Sequence, residues 1–208
     1  MTKKNNATHA VLFPDDAVLQ AVIKATELPQ WTSTHNVFHD VMSCIIEQQI
    51  HYRSSKHVFA HVMQEAGLQE LHVDDFQILE RVLYKLRLSE AKYEAMAHTV
   101  DFFSQNDIDW EHLSDAEVRT RLSSIQGVGT WTADMILLYT LRRPDVFPLV
   151  DYHLTQIMVK CYGLDKKGVH KKMREVAQRW GNNRSMAVLY LLAYKNNLLK
   201  KPMRLSKS

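Results

Sequence analysis

Asp151 closes the apolar run Val146-Phe147-Pro148-Leu149-Val150 and precedes Tyr152-His153-Leu154, where a helical pattern begins. An Asp in that place is a good N-cap, because its carboxylate can accept from the backbone N–H groups of the first turn. The same geometry suits chemistry. A carboxylate fixed in direction can stabilise an oxocarbenium-like charge on a sugar, and it can orient or deprotonate an attacking water. The residue alone fits both readings.

Upstream lies Leu122-Ser123-Ser124-Ile125-Gln126-Gly127-Val128-Gly129-Thr130-Trp131-Thr132-Ala133-Asp134-Met135-Ile136. Two helical patterns flank a Gly-apolar-Gly turn. The glycines permit backbone angles closed to other residues and let another backbone come near. Leu122, Ile125, Val128, Ala133 and Ile136 would hold the two helices at a fixed angle. The backbone N–H groups of Gly127, Val128, Gly129 and Thr130 would then sit at the positive end of a helix dipole and suit a phosphate. Such contacts grip a duplex without reading its sequence. A plain helix–turn–helix corner would account for the glycines as well.

The elements that must position these residues are helices. The chain has 208 residues, 46% of them hydrophobic, enough for a core of one domain or two small lobes. Apolar residues recur at three- and four-residue spacing, and strand-like alternation is scarce. The pattern predicts about ten helices in an all-α chain. The first starts at Pro14-Asp15-Asp16. Others cover residues 37–49, 54–66, 74–85, 89–105, 114–123, 130–141, 151–161, 170–180 and 185–199. Ser114 and Glu117 form a capping box, and Gly163 stops the helix that Asp151 starts. Residues 1–8 and the basic segment 201–208 read as disordered tails around one folded unit, 9–200.

Charge and cysteine content narrow the function classes. The formal net charge is +3 and the isoelectric point about 8.8, which permits a nucleic-acid partner without requiring one. Two cysteines, Cys44 and Cys161, are too few for a structural zinc or an iron–sulfur cluster and read as small buried hydrophobes. The N-terminal residues lack the apolar stretch of a signal peptide, and no run is long enough to span a membrane. The expected place is the cytoplasm beside the nucleoid, or the nucleus in a eukaryote.

Hairpin, helix, apolar loop and Asp in this order resemble the helix-hairpin-helix DNA glycosylase superfamily. Further segments carry the resemblance: Ile45-Ile46-Glu47-Gln48-Gln49-Ile50, Leu88-Ser89-Glu90-Ala91-Lys92, Val150-Asp151-Tyr152-His153 and Trp180-Gly181-Asn182-Asn183-Arg184-Ser185-Met186-Ala187. It spans about Phe38 to Leu199, and its nearest branch is the 3-methyladenine DNA glycosylase II group. The resemblance implies two helical lobes with a DNA-binding cleft between them. It implies a monomer that acts on damaged double-stranded DNA in base excision repair and hydrolyses alkylated purines to leave an abasic site. Asp151 would be the catalytic residue. Trp131, Met135 and Tyr152 would line the base pocket, and Gln48 and Gln49 would fill the space left by the flipped nucleotide. A monovalent cation, sodium or potassium, would sit on the carbonyls of Ser123, Ile125 and Val128, with no other cofactor.

Strand-cleaving members of the superfamily carry a Lys where this chain has Trp131, so the resemblance implies base release without strand scission. Arg184 is a candidate phosphate contact, with Arg142, Arg143, Lys200, Lys201 and Arg204, though scattered charges are commonly solvated surface. Gln49 stands where relatives place an apolar wedge, and Asn183 replaces a second Trp. The alternatives are a glycosylase for deaminated or oxidised bases and a DNA-binding module without catalysis.

Overall fold

The computed structural model of the chain describes residues 9–27, 29, 31, 33–48 and 52–200. The tails expected at 1–8 and 201–208 lie outside the described residues. Helices α1 (Ala17–Ala25), α2 (Val37–Glu47), α3 (Tyr52–Ala66), α4 (Phe76–Leu83), α5 (Glu90–Gln105), α6 (Asp115–Ser123), α7 (Thr130–Met135), α8 (Tyr152–Tyr162), α9 (Val169–Ala177) and α10 (Arg184–Lys200) follow in order. Every regular element among the described residues is helical, as the periodicity predicts.

Local chemistry explains several boundaries. Ser114 and Glu117 form the expected capping box at the head of α6, and Gly163 ends α8 in the left-handed conformation at φ 62°. Asp16 caps α1 by accepting the Leu19 N–H at 2.8 Å. Two expected helices are interrupted. The stretch predicted over 130–141 is α-helical only to Met135 and continues as a π turn over Ile136–Thr140. Tertiary bonds hold that turn: Thr140 donates its hydroxyl to Asp40 at 2.6 Å, and its carbonyl accepts from the Ser33 hydroxyl at 2.5 Å. The helix predicted over 170–180 stops at Ala177, and a 3₁₀ segment, Gln178–Asn183, bends at Gly181.

The chain forms two compact units, Met1–Trp31 with Arg143–Ser208, and Thr32–Arg142. In the second unit, α2 packs against α3, α5, α7 and the π turn. Val41, Met42, Ile45 and Ile46 of α2 are fully buried there, as are Leu122 of α6 and Leu137 and Leu138 of the π turn. In the first unit, α10 packs against α1 and α8, and α9 packs against α8. Residues 187–191 of α10 are buried in succession, so this helix is a core element and not one with a single apolar stripe. Asp16 is buried in the same unit and accepts from Tyr162 Oη at 2.9 Å and Trp180 Nε1 at 2.8 Å. Cys44 and Cys161 are free thiols and half-buried. Burial pushes both thiols up from the ordinary range.

Candidate active site

The hairpin belongs to the second unit. It joins α6 to α7, and its apolar residues do what the spacing predicts: Leu122, Ile125, Val128, Ala133 and Ile136 are all buried. Val128 N–H donates to the Ile125 carbonyl at 3.0 Å and closes the turn. Arg119 of α6 donates to Asp134 of α7 at 2.9 Å. Burial raises the Asp134 carboxyl above its ordinary value, and the Arg119 bond opposes that rise. The two helices are therefore fastened by packing and by one ion pair.

The glycines have different reasons to be there. Gly127 has φ +89°, and a Cβ on it would lie 2.4 Å from the Ala95 Cβ of α5. Both grounds for glycine, angle and close approach, apply. Gly129 has φ −99°, and a Cβ on it would meet nothing within 4 Å. Neither ground applies within the described chain, contrary to the expectation for both glycines. Gly127, Gly129 and Thr130 are exposed, and Gly129 is the N-cap of α7. Trp131 is half-buried one residue inside that helix, and Met135 is buried at its end.

Two quoted segments prove to be fasteners. Lys92 of α5 donates its ammonium to the Ile46 carbonyl at 2.6 Å, in the last turn of α2. Gln48, the C-cap of α2, donates its side-chain amide to the Thr132 hydroxyl of α7 at 3.2 Å. Gln48 is thus tied to the helix that follows the hairpin. Gln49 lies outside the described residues, as do Lys201 and Arg204.

Asp151 belongs to the first unit. It is 5% exposed, and its Oδ1 accepts the Leu154 N–H at 2.6 Å as the N-cap of α8. Its neighbours in sequence, Val150 and Tyr152, are 51% and 65% exposed. A buried carboxylate thus stands between two exposed side chains.

The loop that delivers Asp151 is stitched to the head of α10. Arg184 makes a forked pair with Asp145, at 2.5 and 2.6 Å. The buried Ser185 hydroxyl accepts from Val146 N–H at 2.8 Å and donates to the Arg143 carbonyl at 2.6 Å. Phe147 sits edge-on to Trp180 at 5.7 Å. Arg184, expected as a phosphate contact, has its guanidinium engaged by a carboxylate of its own unit. The Trp180 to Ser185 motif signals this region in sequence, but its long-range partners do not follow from spacing. Lys92, Arg119 and Ser185 were for that reason beyond reach as positioning residues.

Comparison with known proteins bears on both units. A family profile described as "HhH-GPD superfamily base excision DNA repair protein" matches residues 42–183. A Bacillus subtilis (strain 168) protein provisionally named DNA-3-methyladenine glycosylase YfjP is 26% identical over 200 residues, covering 90% of this chain and 69% of that protein. Among solved structures, the DNA-3-methyladenine glycosidase of Bacillus halodurans superposes with a TM-score of 0.72 at 22% identity, covering 97% of this chain and 94% of that one. The Schizosaccharomyces pombe 3-methyladenine DNA glycosylase Mag1, solved in complex with abasic DNA, superposes with a TM-score of 0.69 at 18% identity, covering 89% and 95%.

Proposed function

Because this chain belongs to the HhH-GPD superfamily of base excision DNA repair proteins, we propose that it is a monofunctional DNA glycosylase that hydrolyses the N-glycosidic bond of alkylated purines. The observation that carries this reading is Asp151, a buried carboxylate held as the N-cap of α8 after the hairpin, its second helix and the apolar loop. The relatives named as 3-methyladenine glycosylases supply the substrate class, and the relative solved with abasic DNA supports a DNA partner.

The chemistry assigned to each residue follows from its type. Gly127, Gly129 and Thr130 are exposed at the head of α7, and their backbone N–H groups suit a phosphate of the damaged strand, whereas Val128, expected among them, is buried and donates its N–H to the Ile125 carbonyl. A base must leave the stack before its glycosidic bond can be reached. A purine alkylated at N3 or N7 is a cation, so an indole such as that of Trp131 offers it a favourable face. It is also an activated leaving group and needs little help from a general acid. Asp151 then stabilises the developing sugar cation and guides water to it. Trp131 holds no amine, so no Schiff base forms at that position and the strand stays intact.

A monovalent cation fits the hairpin's donor set. Ser123 ends α6, where carbonyls of the last turn point outward at the negative end of the dipole. With the carbonyls of Ile125 and Val128, these are neutral oxygen donors suited to sodium or potassium. Such an ion would add positive charge where a phosphate approaches. Among the described residues, no helix is long and apolar enough to cross a membrane.

The test is base release and strand cleavage, measured separately on duplexes carrying 7-methylguanine, 3-methyladenine, ethenoadenine, hypoxanthine or uracil. Alkylated purines should be released without strand scission. Asp151→Asn should slow release by about a thousandfold while duplex affinity stays near that of the unaltered protein. A variant that keeps its activity refutes the role of Asp151, and scission without alkali refutes the monofunctional reading.

A further inference from the structure

Lys195 lies within α10, 9% exposed, on a helix whose buried positions are otherwise mostly apolar. Its Nζ is 2.5 Å from His153 Nδ1 and donates to Gln156 Oε1 at 2.7 Å. The same nitrogen stands over the Tyr152 ring, 5.6 Å from its centroid. Gln156 in turn donates to the Tyr152 hydroxyl at 2.5 Å, and the rings of Tyr152 and His153 meet edge-on at 5.4 Å. One ammonium therefore engages Tyr152, His153 and Gln156. All three lie at the beginning of α8, the helix that Asp151 caps.

Burying a cation is costly, and a methionine or leucine could fill the same volume in a helix interface without that cost. The charge at 195 therefore calls for a reason other than packing. An ammonium has donors only, so His153 Nδ1 accepts and the imidazole carries its proton on Nε2. Burial, and then the Lys195 charge, hold His153 below the ordinary imidazole value, against the pull of Asp151. Burial lowers Lys195, and Asp151 favours its charged form. The ammonium and the Asp151 carboxylate therefore attract each other.

We propose that Lys195 is a positioning residue for Asp151, its ammonium clamping the start of α8 through His153 and Gln156 and setting a positive charge beside the carboxylate that stabilises the sugar. The inference rests on the glycosylase reading above. Lys195 thus faces Asp151 at the head of α8 and Tyr152, His153 and Gln156 within it, among other groups. His153 is the group whose shift the Lys195 charge helps to set, so the clamp has a signature in pH.

The experiment compares the unaltered protein with Lys195→Met, Lys195→Arg and Gln156→Leu. Single-turnover release of 7-methylguanine is followed from about pH 5 to 9, with duplex affinity and the titration of His153 by nitrogen-15 NMR. Lys195→Met should slow release about tenfold or more while affinity stays within about threefold. The acid limb of its rate profile should move to higher pH, and His153 should protonate at higher pH. Lys195→Arg should restore part of the rate and the position of the acid limb. Gln156→Leu, which keeps the charge and removes the bonds to Lys195 and Tyr152, should lose less and leave the limb in place.

Unaltered rates and profile in Lys195→Met overturn the proposal. So does a uniform loss at every pH that Lys195→Arg does not relieve, which marks a packing role. An unmoved His153 titration in folded Lys195→Met overturns the clamp itself. If Lys195→Met does not fold, the Lys195→Arg and Gln156→Leu profiles decide by the same criteria. A folded, unaltered protein that releases no base from any duplex overturns the glycosylase reading and this role with it, while the NMR arm still reports whether the clamp exists.

Discussion

Gly127 and Gly129 look alike in sequence and differ in what surrounds them. The first has a left-handed backbone and sits against Ala95, whereas the second has an ordinary backbone and open space at its Cβ. Gly127→Ala should therefore cost about 2–4 kcal/mol of stability, from the positive φ and the clash together. Gly129→Ala should leave stability within about 1 kcal/mol. Its expected defect lies elsewhere: a methyl group beside exposed amides should weaken duplex affinity by about tenfold, or 1.4 kcal/mol. Urea denaturation and fluorescence anisotropy on the same two variants separate the effects. Equal stability losses, or unchanged affinity in Gly129→Ala, would show that the hairpin glycines serve only the fold.

At the level of elements, the loop before α8 depends on the head of α10. The Arg184 bond holds the Asp145 carboxyl below its ordinary value. The sign follows directly: with the folded value below the unfolded one, the stabilisation is complete above about pH 4 and is lost as pH falls through the folded value. The two side chains are 39% and 28% exposed, so solvent screening limits the pair to about 1 kcal/mol or less. Asp145→Asn should be less stable than the unaltered protein at neutral pH, and the gap should close in denaturation curves taken below about pH 4. A constant gap would assign the loss to something other than this pair. The elements themselves were largely legible beforehand. Helical spacing, the Ser114–Glu117 box and the Gly163 stop are local signals, and each appears where expected. The π turn was not legible, because Asp40 and Ser33 hold it from far along the chain. Nor were the partners of Arg184, Ser185 and Lys195, since a motif gives a residue's place and not its contact. Asp151 was legible both as a cap and as a candidate carboxylate, because both roles depend on the same few neighbours in sequence.

For the molecule as a whole, the first unit is discontinuous, made from the two ends of the chain. Asp16 joins them, buried and accepting from Leu19, Tyr162 and Trp180. Asp16→Ala would leave buried donors unsatisfied and should cost about 3 kcal/mol or more. The urea midpoint should fall, and Trp180 emission should change before global unfolding if the indole is released. A midpoint within error of the unaltered protein would show that this carboxylate does not fasten the ends. The same wiring sets an order of events during synthesis. Asp16 and Trp180 are 164 positions apart, which a ribosome covers in about 8–33 s at common elongation rates. Throughout that interval α1 is made but has no α10 to pack against, whereas residues 32–142, the other compact unit, are already complete. The helix written first is thus among the last to be buried, and its apolar face is where a nascent chain would need shelter from aggregation.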